Sequence, residues 1–217
     1  KFDNTSFSDQ DDVWFLNKLH RAVAKLNEAG AEGYSSDVVA VWPSGRRRRI
    51  RKSQRQRPYD FLFEAGGPGC TYVVRRQLIY DFKAFLLAHW STLQAVVLHD
   101  WLLYAFARSR ARSWIIDDAP GVLYRQQTRN QLGVNVGWSA FSCRVRTVLS
   151  GWGLQQTRLI ADELGFGGHP LIGRGLNGSS RGYLWLGSNA WHCRRRVRDR
   201  LIFALCCGVL ALRAVGS

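Results

Sequence analysis

Methionine is absent from all 217 residues, position 1 included, so a chain that begins at Lys1 reads as a processed or fragmentary one. No basic and apolar leader with a small-residue cleavage site is visible, and no signal peptide is expected. Lysine is scarce: the 31 basic residues comprise five Lys and 26 Arg. The five cysteines are odd in number and lack metal-ligand spacing. They read as reduced thiols of a cytosolic protein in preference to a disulfide framework. There is no Gly-Lys-Ser/Thr phosphate loop. The apolar run Leu201–Leu212 is about a dozen residues, short of the roughly 20 that a membrane-spanning helix needs. What is present is core material. A hydrophobic content of 46% and nine Trp exclude global disorder.

Charge is unevenly distributed. Residues 1–45 carry four basic against seven acidic side chains, a net of −3, and the remainder carries 27 against nine, a net of +18. A basic surface implies anionic partners: phosphorylated substrates, acidic lipid headgroups or nucleic acid. Two Arg runs concentrate it, Arg46–Arg49 with Arg51 and Lys52, and Arg194–Arg196 with Arg198 and Arg200. The first suits a solvated face or a contact of low specificity. The second precedes an apolar run, which suits either a helix at an acidic membrane surface or a terminal helix packed on its own domain.

Along the chain, residues 13–29 predict an amphipathic helix, with Val13, Leu16, Leu19, Val23 and Leu26 at helical spacing and Gly30 and Gly33 ending it. Val38–Trp42, Cys70–Val74, Ser113–Ile116 and Val122–Tyr124 suggest short strands, and residues 46–52 a basic strand or loop. Residues 76–88, 100–108, Gly137–Leu149 and Leu154–Leu164 suggest helices. This alternation is α/β in class. The expected organisation is a domain over 1–164, a Gly-rich linker over 165–182 and a basic, apolar helical tail over 183–217.

Four segments carry candidate chemistry. Asp9, Asp11 and Asp12 place three carboxylates in four positions. They fit either a crowded helix N-terminus or a divalent-cation site, since hard ions take carboxylates together with substrate phosphates. Asp100, between His99 and Trp101, opens an apolar helix and fits a cap or a general base at a cleft edge. Glu64-Ala65-Gly66-Gly67-Pro68-Gly69-Cys70-Thr71 fits a plain turn or a close backbone approach to a ligand. Tyr124-Arg125-Gln126-Gln127 fits a solvated loop or a pyrophosphate clamp.

Taken in order, Phe7-Ser8-Asp9-Gln10-Asp11-Asp12-Val13-Trp14, Lys18-Leu19, Gly66–Thr71, His99-Asp100-Trp101-Leu102-Leu103-Tyr104 and Tyr124-Arg125-Gln126 with Asn130 and Gly133 resemble glycosyltransferase family 2. The likeness is strongest to its bacterial rhamnosyltransferase-like branch and covers roughly residues 5–150. It implies a GT-A-type, Rossmann-like sheet with flanking helices. The sheet is expected to be incomplete, because the nucleotide-binding half precedes the acidic motif in that family. The resemblance implies Asp9 and Asp11 on Mg²⁺ or Mn²⁺, with Asp12 beside them on the substrate. It implies Asp100 as the base of an inverting displacement. Gly66, Gly67, Thr71 and Trp101 would line the sugar and acceptor site, and Arg125 would face the diphosphate. Gln127 stands where the family commonly has His. The donor implied is a nucleotide sugar, dTDP-rhamnose for this branch. The acceptor is a lipid-linked or polysaccharide glycan in bacterial surface-glycan synthesis. The setting is the cytoplasm, at the inner face of the cell membrane. The 217 residues alone are expected to be inactive. The competing expectations are a non-catalytic module for anionic glycan, lipid or nucleic acid, and a degenerate remnant of the enzyme. Nucleic acid is disfavoured because the Arg runs are not interleaved with stacking aromatics.

Overall fold

The computed structural model describes residues 2–126 and 151–216. Gln127, Asn130, Gly133, Cys143 and the helix expected over Gly137–Leu149 lie outside them. The described chain forms two compact units, one from residues 2–54, 65–90 and 98–126, the other from 55–64, 91–97 and 151–216.

In the first unit six strands make one mixed sheet. They are β1 (Asn4–Ser6), β2 (Val13–Trp14), β3 (Gly33–Val41), β4 (Arg47–Ile50), β5 (Val73–Arg75) and β6 (Trp114–Arg125). The order is β1-β5-β3-β6-β2, with β4 also pairing to β3. Only the central β3–β6 pair is parallel. It joins the two longest strands, with Val38 opposite Val122 and Val39 opposite Leu123. Helices α1 (Lys18–Glu28), α2 (Arg76–Ala88) and α4 (His99–Ser109) pack against the sheet, and the short α3 (Trp90–Leu93) follows α2. A mixed sheet with flanking helices agrees with the α/β class and with the incomplete GT-A-type sheet that the resemblance implies. Both ends of the sheet are very short strands, which limits edge-to-edge association.

Two local expectations change. The predicted helix over 13–29 begins only at Lys18, because Val13 and Trp14 pair with Leu123 and Val122 instead. The helix that forms buries Lys18, Ala22 and Leu26, while Val13, Leu16 and Leu19 face solvent. Of the apolar stripe only Leu26 is fully buried, and the packed face is completed by Lys18 and Ala22, which the spacing did not mark. The two strands expected over 113–124 are one strand, β6, interrupted where Ser36 pairs with Asp117 but Val38 pairs with Val122. Residues 118–121 bulge there. Pro120 has no N–H for the ladder, which accounts for the break.

The second unit is helical: Trp152–Glu163, Pro170–Gly173, Ser180–Ser188, Ala190–Cys193 and Val197–Arg213. Within the Gly-rich stretch, the turn Pro170–Gly173 buries Leu171 and Ile172. Arg195 is buried and pairs with Asp60 (3.1 Å) and Glu64 (3.6 Å). Arg200 is buried and donates to the carbonyls of Arg194 and Arg195. These two members of the tail Arg run are therefore structural rather than surface charges. Cys70, Cys193, Cys206 and Cys207 are free and buried.

Candidate active site

Asp9–Asp12 lie in the loop between β1, on one end of the sheet, and β2, on the other. The first helix starts at Lys18 with Asn17 as its N-cap residue. The carboxylates therefore do not cap a helix, and that reading of the cluster falls. Asp9, Asp12 and Cys70 each offer a ligand atom, and these atoms lie within 4.8 Å of one another. Asp11 is not one of the three, although its charge acts on Asp12. Asp12 Oδ1 accepts from the Arg125 backbone N–H at 3.1 Å, while its Oδ2 is buried with no hydrogen-bond partner. Burial pushes the Asp12 pKa up. The Cys70 thiol and the Arg125 N–H oppose the rise, and Asp9 and Asp11 add to it.

A divalent cation fits this donor set. The orphaned Asp12 oxygen and the crowding of like charges are both relieved by a hard positive ion, which prefers oxygen ligands. Cys70 does not compete as a thiolate. Burial, then Asp12 and Asp9, raise its pKa far above the usual thiol range, so the sulfur stays protonated. It serves as an S–H neighbour of Asp12 rather than as a metal ligand.

Lys18 closes the back of the site. Its Nζ donates to Cys70 O at 2.8 Å, to Ser6 Oγ at 3.2 Å and to Phe7 O at 3.4 Å, and lies 3.3 Å from the centroid of the Trp14 ring. One buried ammonium thus ties together β1, the acidic loop and the Gly-rich turn. Burial lowers its pKa to about 8 against the pull of Cys70, Asp12 and Asp9. No site role was expected for Lys18 beyond its place in the matched order. The signal available in the sequence was a lysine on the apolar side of an amphipathic helix.

Asp100 sits in the first turn of α4, whose N-cap residue is Leu98. It is not the cap, but its charge lies where the helix dipole favours an anion. Oδ1 accepts from the Trp101 N–H at 2.8 Å. Burial raises its pKa, opposed by the Trp101 N–H, by His99, by the Gly69 N–H and by Lys52. Gly69 is what lets the carboxylate sit there. A Cβ at that position would stand 3.0 Å from Asp100 Cβ and 3.7 Å from its Oδ2.

The two acidic sites therefore meet across one dipeptide, with Gly69 against Asp100 and Cys70 beside Asp9 and Asp12. Tyr124 also feels Cys70, Asp12, Asp9 and Asp100, which together with burial raise its pKa to about 12. Arg125 ends β6 with an exposed side chain, and its backbone holds Asp12. Gly66, Gly67, Thr71 and Trp101 are buried. Gly66 O accepts from Ser35 Oγ at 3.0 Å, and a Cβ on Gly66 would press to 2.8 Å from the Tyr104 ring. Gly67 has φ +157° and lies against Ser35 and Ser36. Thr71 Oγ1 donates to Pro68 O at 2.7 Å. These four residues pack the turn onto β3 and α4.

Other carboxylates of this unit are paired. Asp117 receives Arg21 Nε and Nη2 at 2.6 and 2.9 Å and the Tyr34 hydroxyl at 2.8 Å. Asp37, buried at the β3 irregularity, takes the Lys52 and Ser53 N–H groups on Oδ1 and Arg49 on Oδ2. Arg49 is thereby an anchor for β4 within a run otherwise read as a solvated face. Asp12 differs from both of these in keeping an unsatisfied oxygen.

No protein-family profile matches the chain. Among curated proteins the chain is 38% identical, over 204 residues, to the dTDP-rhamnosyl transferase RfbG of Shigella flexneri, a match covering 94% of this chain and 70% of that relative.

Proposed function

The chain belongs to glycosyltransferase family 2, in its rhamnosyltransferase-like branch, and from that premise we propose that it takes part in inverting sugar transfer from a nucleotide sugar. The donor on this reading is dTDP-rhamnose, and the acceptor is a lipid-linked or polysaccharide glycan of the bacterial surface. The observation that carries the reading is the meeting of the two acidic sites across Gly69-Cys70. Inverting transfer needs a base on the acceptor hydroxyl and charge neutralisation at the diphosphate, close enough to act on one anomeric carbon.

Asp100 is the base in this proposal. Its raised pKa, caused first by burial, brings it nearer to a hydroxyl proton than an ordinary carboxylate. Asp9 and Asp12 would hold Mg²⁺ or Mn²⁺, with Asp11 adding negative charge at the rim. The ion when bound neutralises the diphosphate leaving group. The exposed Arg125 would add a cation on the same phosphates while its N–H keeps Asp12 aimed. Gly66, Gly67, Thr71 and Trp101 form the packed wall that fixes Gly69 against Asp100. Residues 1–164 hold this chemistry in the proposal, and 183–217 serve as a tail at the inner membrane face. Among the described residues no helix is long and apolar enough to cross a membrane.

Because the 217 residues alone are expected to be inactive, the test joins them to the upstream nucleotide-binding half that the resemblance implies and measures transfer from, or hydrolysis of, dTDP-rhamnose in the presence of Mn²⁺, with Asp100→Asn as the comparison. We expect Asp100→Asn to lose about 10²–10⁴ of turnover, the usual share of a general base, with donor binding unchanged. Turnover retained in Asp100→Asn would remove the base assignment. Absence of binding and turnover with every nucleotide sugar, in protein that melts cooperatively, would remove the transfer reading itself.

A further inference from the structure

The terminal helix Val197–Arg213 carries two apolar faces, and only one is packed. Phe203, Cys206, Cys207 and Ala211 are buried on the inner face. Phe203 meets Phe63 edge-on at 5.4 Å, and Gly187 lets the helix Ser180–Ser188 come against Cys207 and Ala204. Val197, Leu201, Leu205, Val209 and Leu212 follow one another at intervals of four, four, four and three residues, which places them along a single outer stripe. They are between 38% and 77% exposed. Leu184 and Trp191, on helices packed against the terminal one, are also more than half exposed. A soluble surface does not normally leave a whole helix side of this kind open.

The charge around the stripe identifies what covers it. Residues 165–217 contain eight Arg and a single acidic residue, Asp199. Arg195 and Arg200 are buried, whereas Arg181, Arg196, Arg198 and Arg213 are exposed. Asp199 sits 3.5 Å from Arg198 and offsets part of one charge. Arg196 and Arg198 lie at the start of the stripe and Arg213 at its end. At 1.5 Å per residue the helix is roughly 25 Å long, and exposed arginines at both of its ends, level with headgroups, keep it in the interfacial plane. A second copy of the chain would bring the same arginines face to face, which is unfavourable. An anionic lipid surface offers acyl chains to the leucines and phosphates to the arginines.

We propose that the helix Val197–Arg213 docks lengthwise on an anionic bilayer surface, its outer stripe entering the headgroup–acyl boundary. This differs from the sequence expectation of an Arg-rich half on headgroups and an apolar half dipping inward. Every turn of the helix contributes, and two of the arginines are withheld for folding. The inference deepens, and rests on, the proposed reading of 183–217 as a tail at the inner membrane face; it uses only the second unit, so its failure leaves the sugar-transfer test untouched.

The experiment is co-flotation of the full chain with phosphatidylcholine vesicles and with vesicles containing phosphatidylglycerol. Binding is expected to the anionic vesicles alone and to fall with added salt. Leu201→Ser/Leu205→Ser/Leu212→Ser removes about fivefold per leucine, about a hundredfold together, since each buries about half a side chain's worth of apolar surface. Arg196→Ser and Arg198→Ser each remove about fivefold. All five positions are exposed, so thermal melting should be unchanged. Equal flotation of the triple variant, or no binding to anionic vesicles, overturns the proposal. So does a concentration-dependent dimer that the triple variant abolishes while vesicle binding is absent, which would give the stripe to a second copy.

Discussion

Gly69→Ala is the substitution that separates a positioned Asp100 from an incidental one. Gly69 is not among the glycines with positive φ, so alanine meets no backbone strain there. The obstacle is space alone. The new Cβ would stand 3.0 Å from Asp100 Cβ, where carbon atoms ordinarily keep about 3.5–4.0 Å. Both Cβ atoms are fixed by their backbones, so no rotamer change relieves the contact. Either the Gly-rich turn or the first turn of α4 must move by roughly half an ångström. Overpacking of this size costs about 1–2 kcal/mol. The reduced entropy of the unfolded chain returns about 0.4–1 kcal/mol. The net loss is therefore about 1 kcal/mol, a fall in Tm of roughly 2–4 °C for a chain of this length. Activity should suffer more. A misplacement of 1 Å is worth about a hundredfold in rate, so half of that is about tenfold.

The assay is dTDP-rhamnose turnover with Mn²⁺ at a temperature well below the melting transition, with Tm measured on the same preparations. Gly45→Ala supplies the control. Gly45 has φ +78° and open space around it, so alanine there costs about 1 kcal/mol of backbone strain and touches no site residue. Gly69→Ala should lose about tenfold in turnover and Gly45→Ala nothing, at similar Tm. Wild-type turnover in Gly69→Ala would refute the argument that this glycine seats Asp100. Equal losses in both variants would show that activity merely follows stability.

Asp12→Asn keeps the acceptor for the Arg125 N–H but removes a buried negative charge beside Asp9 and Asp11. In chelator its Tm should rise by about 1–3 °C, while Mn²⁺ at about a hundredfold over its Kd should raise the wild-type Tm by roughly 5–10 °C and leave the variant unmoved. An equal Mn²⁺ shift in both proteins would place the ion elsewhere. Asp117 is pushed up by burial but held below the usual carboxylate range by Arg21 and Tyr34. Its contribution is thus present above the unfolded value of about 3.9 and is lost as pH falls through the folded one. With Arg21 partly solvated, Asp117→Asn should cost about 1–2 kcal/mol at pH 7 and less at acid pH. A loss that grew toward acid pH would contradict the pairing. Gly33→Ala puts a Cβ 2.0 Å from the Trp114 ring, whose Nε1 already donates to Ser35 Oγ. A loss of about 3 kcal/mol or more is expected in a melt, and a small loss would mean that Trp114 has room to turn.

The order of motifs was legible because the chain itself carries it. Asp9–Asp12, Gly66–Thr71, His99-Asp100-Trp101 and Tyr124-Arg125 announce themselves by composition, and 76–88 was readable as a helix from its periodicity. What composition could not show was that Val13 and Trp14 belong to a strand. Leu16 and Leu19 completed a convincing helical pattern, yet tertiary pairing with β6 outweighed it. Periodicity ranks faces by hydrophobicity and is blind to which face a neighbouring strand needs.

The same blindness hid the residues that hold the site together. Lys18 was given only a place in the matched order of motifs, yet it is buried with three acceptors on two separate segments. A lysine is driven into a core only when several carbonyls are otherwise left without donors, and that condition exists only after the fold has formed. Gly69 poses the converse problem. Its requirement is set by Asp100, which lies thirty-one residues further along the chain, and no turn preference at Gly66–Thr71 could reveal it. Of the three acidic positions at 9, 11 and 12, the family resemblance pairs the first two, whereas the loop brings the first and third together around Cys70. A loop with no helical or extended period gives its side chains no fixed direction. Which carboxylates converge is then decided by the strands at either end of the loop, and one of them, β2, is the element that the helical reading of residues 13–29 had removed.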